Sequence, residues 1–523
     1  MATAAPVSHA TYDQVPYHSD PFPHTHPSHL AAIELLFGMT PPEVETCRML
    51  ELGCALGRQP GADGIKPAWR SSWASICRPA RWRMEQKSIT ALGLANIELR
   101  HASITDISAD DGLFDYIVCH GVYSWVPREV QDKILEISSR NLRPGGIAYV
   151  SYNTYPGWHM RGVVRDMMRY HVAQFDDPAT KIRQARSLLD FLVKSAATGS
   201  EAYGKVLADE AAIVRKHSDT YLFHEHLEEN NEPCYFHEFV DRAGAHNLQY
   251  LGEAEFPSML ARNFKAETFE ILQAVPMLRQ EQYMDFLRNR MFRRTLLVHK
   301  DVQLTRNIPV TRVRAFHLAV TSKLEVTNPQ LEQQSAVEFK SPRGTATVRL
   351  PISKAALMHL TQVYPRSLTF DELFAAALDL AGLTQIDEAQ REALARDLSN
   401  DLTTIFAGGL LQAWIVPPKF SDRVSERPVA SPLARLQATA SGRVTNLRHE
   451  PVTLEGFARH VITRLDGNHD RVELVHSIRQ AMTTGELEVK HKDQRVATID
   501  EPTLYRILDG TLQTLVHHAL IVE

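Results

Sequence analysis

The sequence has few cysteines and little excess charge of either sign, and each shortage excludes a class of protein. Its five cysteines include no CxxC pair, so neither a disulfide framework nor a zinc ribbon is indicated. A net charge of −5 disfavours a general nucleic-acid binder. No apolar run approaches the roughly 20 residues of a membrane span, and "MATAAPVSHATYD" lacks the pattern of a signal peptide. These absences predict a soluble, cytoplasmic, multidomain protein without a membrane partner.

Strand patterns and helical patterns alternate through the first half of the chain. "CRMLEL", "NIELRHASI", the segment 116–120 and "IAYVSYN" are typical of strands, with helical segments between them and a turn predicted at "RPGG". Two more strands, in "NLQYLGEAEF" and "FRRTLLVHKD", follow a polar helical block at about 160–230. The alternation predicts an α/β, Rossmann-like parallel sheet that the last two strands complete, with the helical block as an insertion.

Beyond about residue 310 the pattern changes to short helices and paired short strands, which is typical of an α+β, winged-helix-like region. The linker "PPKFSDRVSERPVASPLARL" separates two such modules. The predicted boundaries are 1–165 for an amino-terminal arm and the catalytic core, 166–305 for the helical insertion with the last two strands, 306–420 for one winged-helix-like module, and 421–523 for the other.

The turn after the first strand, "LELGCALG", has the residue types of a nucleoside site. Glu51 closes the strand, and Gly53 and Gly57 flank a tight turn that contains Cys54. Ala55 replaces the middle glycine of a dinucleotide fingerprint, which disfavours a nicotinamide dehydrogenase, and no P-loop lysine follows. The spacing fits a cofactor that carries adenosine and an amino acid, namely S-adenosylmethionine; a glycine turn without a ligand is the alternative.

The stretch from Arg58 to Gln86 interrupts this pattern. A doubly wound domain needs a helix here and then a second strand that ends in an acidic residue, which holds the ribose hydroxyls. The stretch contains three of the six tryptophans, five arginines and few aliphatic residues, so we expect neither element from it.

A nucleotide-level cause explains the interruption. Permitted codons for "RQPGADG" encode GNLVPMA in a second reading frame, and those for "SSWASICRPARW" encode FVGIDLSARQV in a third. We therefore interpret residues 58–86 as out of frame, through either an artefact or a real lesion. As written, the chain lacks the ribose-binding acid, and we expect weak or absent cofactor binding, since a lost charged hydrogen bond costs roughly 1.5–3 kcal/mol.

Several long segments resemble class I methyltransferases with a regulatory insertion, among them bacterial protein-lysine methyltransferases. They include "PFPHTHPSHLAAIELLFGM", "LELGCA", "FDYIVCHGVYSWVP", "NLRPGGIAYVSYNTYPGWHMRG" and "YLFHEHLEENNEPCYFHEF". The resemblance covers most of residues 11–300 and implies a seven-stranded sheet and methyl transfer from S-adenosylmethionine. It is weaker past residue 310, where the family's winged-helix module is compatible with the pattern.

Candidate site residues follow three strands and the arm. His120, Tyr123 and Trp125 follow the fourth strand and are expected around the methyl group, where aromatic faces favour a sulfonium. The fifth strand ends in Tyr152 and Asn153, and Asn153 is suited to accept a hydrogen bond from the substrate amine. Core packing is the alternative for the aromatic residues, and a turn-forming role is the alternative for Asn153.

The remaining cofactor candidates flank these positions. Ser103 and Ile104 follow the third strand and are expected beside adenine, although the related enzymes often have Asp in place of Ser103. Tyr12 and Tyr17 in the arm are expected to cover the cofactor; packing is the alternative. No metal site is predicted, because the histidines of "HTHPSH" have no acidic or cysteine partner nearby.

The leading hypothesis is a S-adenosylmethionine-dependent methyltransferase that acts on protein lysine. A small-molecule methyl acceptor is an open alternative, as is a non-catalytic, methyltransferase-like interaction protein that the disrupted segment would favour. Nucleic acid is disfavoured as a partner, and a homodimer is compatible with the sequence.

Overall fold

The structure is a computed structural model. It describes residues 21–53, 71–76, 79–196, 201–327, 330–331, 335–488, 490–491, 494–495 and 499–522. Tyr12, Tyr17, Cys54 and Gly57 therefore lie outside the described residues, as does most of the anomalous stretch.

A seven-stranded sheet organises the first 300 residues, in the order β3-β2-β1-β4-β5-β7-β6. The first five strands run parallel, and β7 lies antiparallel between β5 and β6. This confirms the predicted Rossmann-like sheet and the assignment of the last two strands to it. The strands are β1 (Arg48–Leu52), β2 (Ser71–Ile76), β3 (Ile97–His101), β4 (Phe114–Cys119), β5 (Leu142–Asn153), β6 (Leu248–Glu253) and β7 (Phe292–His299).

Helices cover both faces of this sheet and form the insertion. Apolar residues of the covering helices pack on the strands; Ile134 and Leu135, for example, are fully buried beneath β4 and β5. The helices of the insertion bury their apolar residues against one another, in a separate cluster. The helices of this half are α1 (Pro27–Leu36), α2 (Pro79–Leu92), α3 (Arg128–Arg140), α4 (Gly157–Val172), α5 (Pro178–Ala196), α6 (Glu201–Lys216), α7 (Asp219–Leu222), α8 (Phe236–Ala245), α9 (Ala266–Gln273) and α10 (Met277–Arg288).

The expectation that the anomalous stretch contains no strand was wrong, because residues 71–76 form β2. The helix that a doubly wound domain needs before its second strand would fall in residues 58–70, which lie outside the described residues, and the helix that is described follows β2. β2 pairs in parallel with β1 from Ser71 to Ser75 and with β3 on its other side. α2 then begins at Pro79, a residue that fits the first turn of a helix. The Trp82 ring packs with Ile89 and Ile97, and its Nε1 donates to the Leu99 carbonyl oxygen over 3.2 Å. Backbone pairing between two established neighbours fixes β2, and such pairing tolerates residues that carry no strand pattern.

The "RPGG" segment is a second difference from the sequence-based expectation. It lies inside β5 rather than forming a separate turn before it. The pairing of β4 with β5 is irregular between Phe114 and Tyr116, where Leu142 and Ile147 are the partners, so the glycines form a bulge. Gly145 has a φ of +82°, which a bulge of this kind requires and which glycine adopts without strain.

A buried arginine connects the last two strands to α10. Arg293 in β7 binds the Asp285 carboxylate through Nε and Nη2, both over 2.8 Å. Its Nη1 lies 2.5 Å from Glu253 of β6, and its Nη2 lies 3.1 Å from Glu281. All four side chains are essentially inaccessible to solvent. Such a network is costly to break, because the loss of one partner leaves buried charges uncompensated.

The carboxyl-terminal half is built of short strands and helices, and its residues 430–521 have a hydrophobic core of their own. The core of residues 313–413 is continuous with the core between α1 and the seven-stranded sheet. Its strands are β8 (His317–Val320), β9 (Glu325–Val326), β10 (Val337–Ser341), β11 (Gly344–Val348), β12 (Leu368–Thr369), β13 (Leu411–Trp414), β14 (Arg443–Thr445), β15 (Pro451–Thr453), β16 (Lys490–His491) and β17 (Gln494–Arg495). Its helices are α11 (Pro351–Gln362), α12 (Phe370–Leu380), α13 (Glu388–Ala407), α14 (Pro432–Ala440), α15 (Gly456–Ile462), α16 (Arg471–Thr484) and α17 (Glu501–His517). The domain boundaries given above remain predictions.

The amino-terminal helix α1 is fastened to the carboxyl-terminal half. The Ser28 hydroxyl donates to the Val416 carbonyl oxygen over 2.8 Å and accepts from the amides of Ile415 and Val416. His26, at the start of this helix, lies edge-on to the Trp414 ring. The segment before α1 is thus held by residues almost 400 positions away. No helix among the described residues combines the length and apolarity needed to cross a bilayer.

Candidate functional site

Gly53, the residue that follows β1, lies against Val122 in the loop that follows β4. Gly53 has a φ of +74°, and a Cβ built on it would fall 2.6 Å from Cγ2 of Val122. Only glycine fits this backbone conformation and this close approach. The structure therefore places Gly53 at the carboxyl ends of β1 and β4, the edge at which open parallel sheets bind nucleosides.

Glu51, two residues earlier, presents a buried carboxyl at the same edge. Burial and, to a smaller extent, the nearby Glu85 carboxyl raise the pKa of Glu51 to about 8. Its Oε2 is buried and has no hydrogen-bond partner among the described residues. A buried polar atom of this kind is normally satisfied, so this oxygen is suited to bind a ligand. Together with the close backbone approach that Gly53 allows, this carboxyl oxygen fits the hydroxyl and amino groups of an adenosine cofactor.

The two candidates after β3 are used in local structure. The Ser103 amide donates to Asp106 Oδ2 over 2.9 Å, and the Ser103 hydroxyl accepts from the Thr105 amide, so Ser103 caps a 3₁₀ turn. Its side chain is exposed, whereas Ile104 is buried in the core beside β4. The predicted adenine contact stays a prediction, and it rests on the exposed Ser103 more than on Ile104.

His120 lies at the end of β4 beneath the arm. The Phe22 ring packs on its imidazole with centroids 3.7 Å apart, and Nδ1 lies 2.8 Å from the Tyr149 hydroxyl. Burial, followed by the positive charge of Arg294, lowers the pKa of His120 to about 3. The imidazole is therefore neutral at physiological pH and can orient a group by hydrogen bonding without carrying charge.

Tyr123 and Tyr152 point into the core. Tyr152 stacks on Phe239 at 4.1 Å, and Tyr123 meets the same ring edge-on at 5.3 Å. The Tyr152 hydroxyl lies 3.1 Å from Thr295 Oγ1. Both tyrosines are essentially inaccessible to solvent. This position favours the packing alternative for both over direct contact with the methyl group.

Asn153 and Trp125 lie on the rim of the site. Asn153 Nδ2 donates to Asn231 Oδ1 over 2.8 Å, and the Asn153 amide donates to Ser124 Oγ. Trp125 is half-buried and meets the Trp158 ring edge-on at 6.1 Å. The structure thus brings together the ends of β4 and β5 and the segment 231–234, which joins the insertion to α8.

Three contributors to this site were missed in the sequence: Phe22, Tyr149 and Asn231. Phe22 stands in the proline-rich arm, where the aromatic residue between two prolines was a usable signal. Tyr149 lies within β5, where successive side chains point to opposite faces of the sheet. The sequence alone does not tell which face is directed toward the site. Asn231 lies in an acidic segment that is typical of a solvated helix end, and its contact with Asn153 joins residues 78 positions apart.

The sheet order, the glycine turn and the buried carboxyl at this edge define a class I methyltransferase fold. Three family models match the chain: "Methyltransferase domain" at residues 73–150, "Predicted methyltransferase regulatory domain" at 218–299, and "PKMT, C-terminal winged helix domain" at 426–520.

Relatives and solved structures agree with these matches. An uncharacterized protein of Rickettsia prowazekii is 36% identical over 509 residues, which cover 95% of this chain and 91% of the relative. A second uncharacterized protein of that organism is 40% identical over 234 residues, covering 45% of this chain and 93% of its own length. The structure of PKMT2 from Rickettsia typhi in complex with AdoHcy is 29% identical, with a TM-score of 0.86 over 97% of this chain and all of that one.

The chain belongs to the family of class I S-adenosylmethionine-dependent methyltransferases that carry a regulatory domain and a carboxyl-terminal winged-helix domain. The hypothesis of a methyltransferase is thereby confirmed, and so is the fold class.

Proposed function

We propose that this protein is a S-adenosylmethionine-dependent protein-lysine N-methyltransferase. The observation that carries the proposal is the match to PKMT2 of Rickettsia typhi over the whole length of both chains, at a TM-score of 0.86. AdoHcy, which that structure contains, is what S-adenosylmethionine becomes once its methyl group has left. The match to the PKMT winged-helix model at residues 426–520 supports the same acceptor class.

The residues of this chain have separable tasks in such a reaction. S-adenosylmethionine supplies a methyl group on a sulfonium, so the protein has mainly to align the reactants and exclude water. Gly53 lets the backbone approach the cofactor, and Glu51 offers a carboxyl oxygen to its polar groups. Phe22 covers His120 on the side of the arm, which keeps water from this part of the edge.

Asn153 is the residue best placed to receive the acceptor amine. Because its Nδ2 donates to Asn231, the amide plane is fixed and Oδ1 remains as an acceptor. A neutral lysine amine can donate one hydrogen to this oxygen while its lone pair faces the methyl group. The neutral imidazole of His120 adds no positive charge that would oppose the approach of the sulfonium.

We propose further that cofactor binding by this chain is impaired. β2 ends at Ile76 after Ser75, and no acidic residue stands at the strand end where the ribose hydroxyls require one. The loss of such a contact weakens binding by more than about tenfold. Calorimetry with S-adenosylmethionine should therefore give a clearly weaker affinity for this chain than for a version with a restored reading frame across residues 58–86. Equal affinities would contradict the impairment.

The acceptor is tested with radiolabelled cofactor and the frame-restored protein. We expect label in a lysine-rich protein and none after its lysines are chemically acetylated beforehand; Asn153→Ala should lower kcat more than the affinity for cofactor. Label that appears only in small amines would favour the small-molecule alternative. Label in neither, with cofactor bound, would favour the interaction protein.

The location and assembly follow as smaller proposals. Cys47, Cys119 and Cys234 are free and buried, which agrees with a reducing, cytoplasmic location. A homodimer is to be tested by light scattering on the purified chain.

A further inference from the structure

A cavity of about 230 Å³ lies beside the site, between the methyltransferase core and the regulatory segment. The amino-terminal end of α3 contributes Arg128, the segment 232–234 contributes Glu232 and Cys234, and α8 contributes Glu238 and Arg242. Two positive and two negative side chains thus line one small space. Methyl transfer, as derived above, uses none of the four.

The opposite charges around the cavity do not neutralise each other. Arg242 donates to Gln131 and Asp132 over 2.8 and 2.7 Å, and its Nε is buried with no acceptor among the described residues. Arg128 lies nearest to Asp132, at 3.9 Å. Within the described part of the chain, no ion pair joins either arginine to Glu232 or Glu238. The cavity therefore separates the two charge types by more than ion-pair distance.

The Cys234 thiol lines the cavity with the four charged groups. Burial raises the pKa of Cys234 to about 12; the two arginines act to lower it and the two glutamates act to raise it. The thiol is therefore neutral and weakly polar, and it forms part of the cavity wall without reactivity as a thiolate. The four charged groups therefore reach the same cavity from α3, from the segment 232–234 and from α8.

We propose that this cavity binds a small zwitterion of the α-amino-acid class. Its carboxylate would face Arg128 and Arg242, and its ammonium would face Glu232 and Glu238. A simple anion would face only the two arginines, and a simple cation would face only the two glutamates. A zwitterion bridges both, and the cavity is large enough to hold an amino acid. The proposal concerns ligand binding, so it does not rest on the identity of the methyl acceptor.

The position of the cavity couples it to the rim of the active site. The Glu232 amide donates to the Ser124 carbonyl oxygen over 2.8 Å, and the Cys234 amide donates to the Asn153 carbonyl oxygen over 3.2 Å. The residue before Glu232 is Asn231, which holds the Asn153 side chain. A ligand that fixes the segment 232–234 thereby fixes Asn153, and the site acts as a regulatory site.

The test is calorimetric titration of the full chain with single amino acids, and with acetate and methylammonium as half-ligands. We expect at least one amino acid to bind with a stoichiometry of one, and each half-ligand to bind at least about tenfold more weakly. Arg128→Gln and Glu232→Gln, both at solvent-exposed side chains, should each weaken binding about tenfold. Glu129→Gln and Glu229→Gln are matched controls outside the cavity and should bind normally.

Three results would overturn the proposal. The first is that none of the twenty amino acids binds. The second is binding that persists unchanged in both cavity variants, provided that their thermal unfolding matches the parent chain. The third is displacement by S-adenosylhomocysteine or by a lysine peptide, which would assign the amino acid to the cofactor or acceptor site. Since binding is measured without methyl transfer, failure here leaves the proposed function intact.

Discussion

The two halves of the carboxyl edge of the sheet are held in different ways. On the side of β4 and β5, the candidates have ring partners or hydrogen bonds, as Tyr152 has with Phe239 and Asn153 with Asn231. On the side of β1, the described residues offer Gly53, which has a positive φ and lies close against Val122, and a carboxyl oxygen without a partner. The side of β4 and β5, here called the acceptor half, is therefore fixed by packing and hydrogen bonds. The side of β1, here called the cofactor half, depends on backbone conformation and on its ligand.

The largest effect is expected from a substitution that disrupts the buried charge network behind the acceptor half. Arg293→Met leaves Glu253, Glu281 and Asp285 as buried carboxylates without their cation. We expect the free energy of unfolding to fall by about 3–5 kcal/mol in urea titrations. Arg294→Met is the control, because that side chain is partly exposed and pairs with an exposed Glu255, so its loss should cost less than about 1 kcal/mol. Equal losses would mean that β7 does not depend on the buried network.

The next largest effect concerns pH and the cofactor half. The pKa of Glu51 is raised to about 8, so the folded state retains a proton that the unfolded state releases near its ordinary value. Stability from this group therefore falls as pH rises from about 4.5 to 8, on the order of 2–4 kcal/mol in all. Glu51→Gln should flatten this dependence in urea titrations at pH 5, 6.5 and 8.

Glu98→Gln, at an exposed position of β3, is the matched control and should leave the dependence unchanged. If the free energy of unfolding changes with pH by the same amount in the parent chain and in the Glu51 variant, this carboxyl titrates normally.

The glycine turn gives a third, intermediate effect. Gly53→Ala forces a Cβ into Val122 at a positive φ, with a cost of about 1–2 kcal/mol from the conformation alone and more from the collision. We expect at least about tenfold weaker binding of S-adenosylmethionine to the frame-restored protein. Gly93→Ala has the same sign of φ and open space around its Cβ, so it should lower stability slightly and leave cofactor affinity unchanged. Val122→Ala combined with Gly53→Ala should recover part of the lost affinity.

The smallest effect is expected from the loss of the hydrogen bond between Asn231 and Asn153 in the acceptor half. Asn231→Ala removes one hydrogen bond to Asn153 and should cost about 1 kcal/mol of stability. Because the Asn153 amide then rotates freely, kcat should fall while the dissociation constant for cofactor stays constant. Asn230→Ala, one residue earlier, is the control. A change in cofactor affinity with Asn231→Ala would mean that the two halves are coupled through the rim.

The parts of the fold with a strong local pattern could be predicted from the sequence. β1, β4, β5 and the last two strands have apolar runs between turns, and Gly53 is identified by its place after β1. β2 could not be predicted, because residues 71–76 have no strand pattern and their structure comes from pairing with β1 and β3. The missed strand shows that two neighbouring strands can impose an extended conformation on a segment between them whose sequence has no strand pattern.

The candidate site could be predicted only in part, for a related reason. Position after a strand identifies His120 and Asn153, but the direction of a side chain depends on contacts far along the chain. Tyr123 and Tyr152 face Phe239, more than 80 residues away, and are therefore core residues. Asn231 and Phe22 reach the site from the insertion and from the arm, and no local pattern brings them there.

The anchoring of Ser28 at Val416 has a consequence for biosynthesis. The two residues are 388 positions apart, so this anchor of the segment that presses Phe22 onto His120 cannot form until the ribosome has translated most of the message. At roughly 5–20 residues per second, that delay lasts roughly 20–80 seconds. A nascent chain therefore lacks this anchor until codon 416 has been translated, and a polypeptide terminated earlier holds its amino-terminal segment only through contacts with the first part of the chain, such as that of His29 with the Ala254 carbonyl oxygen.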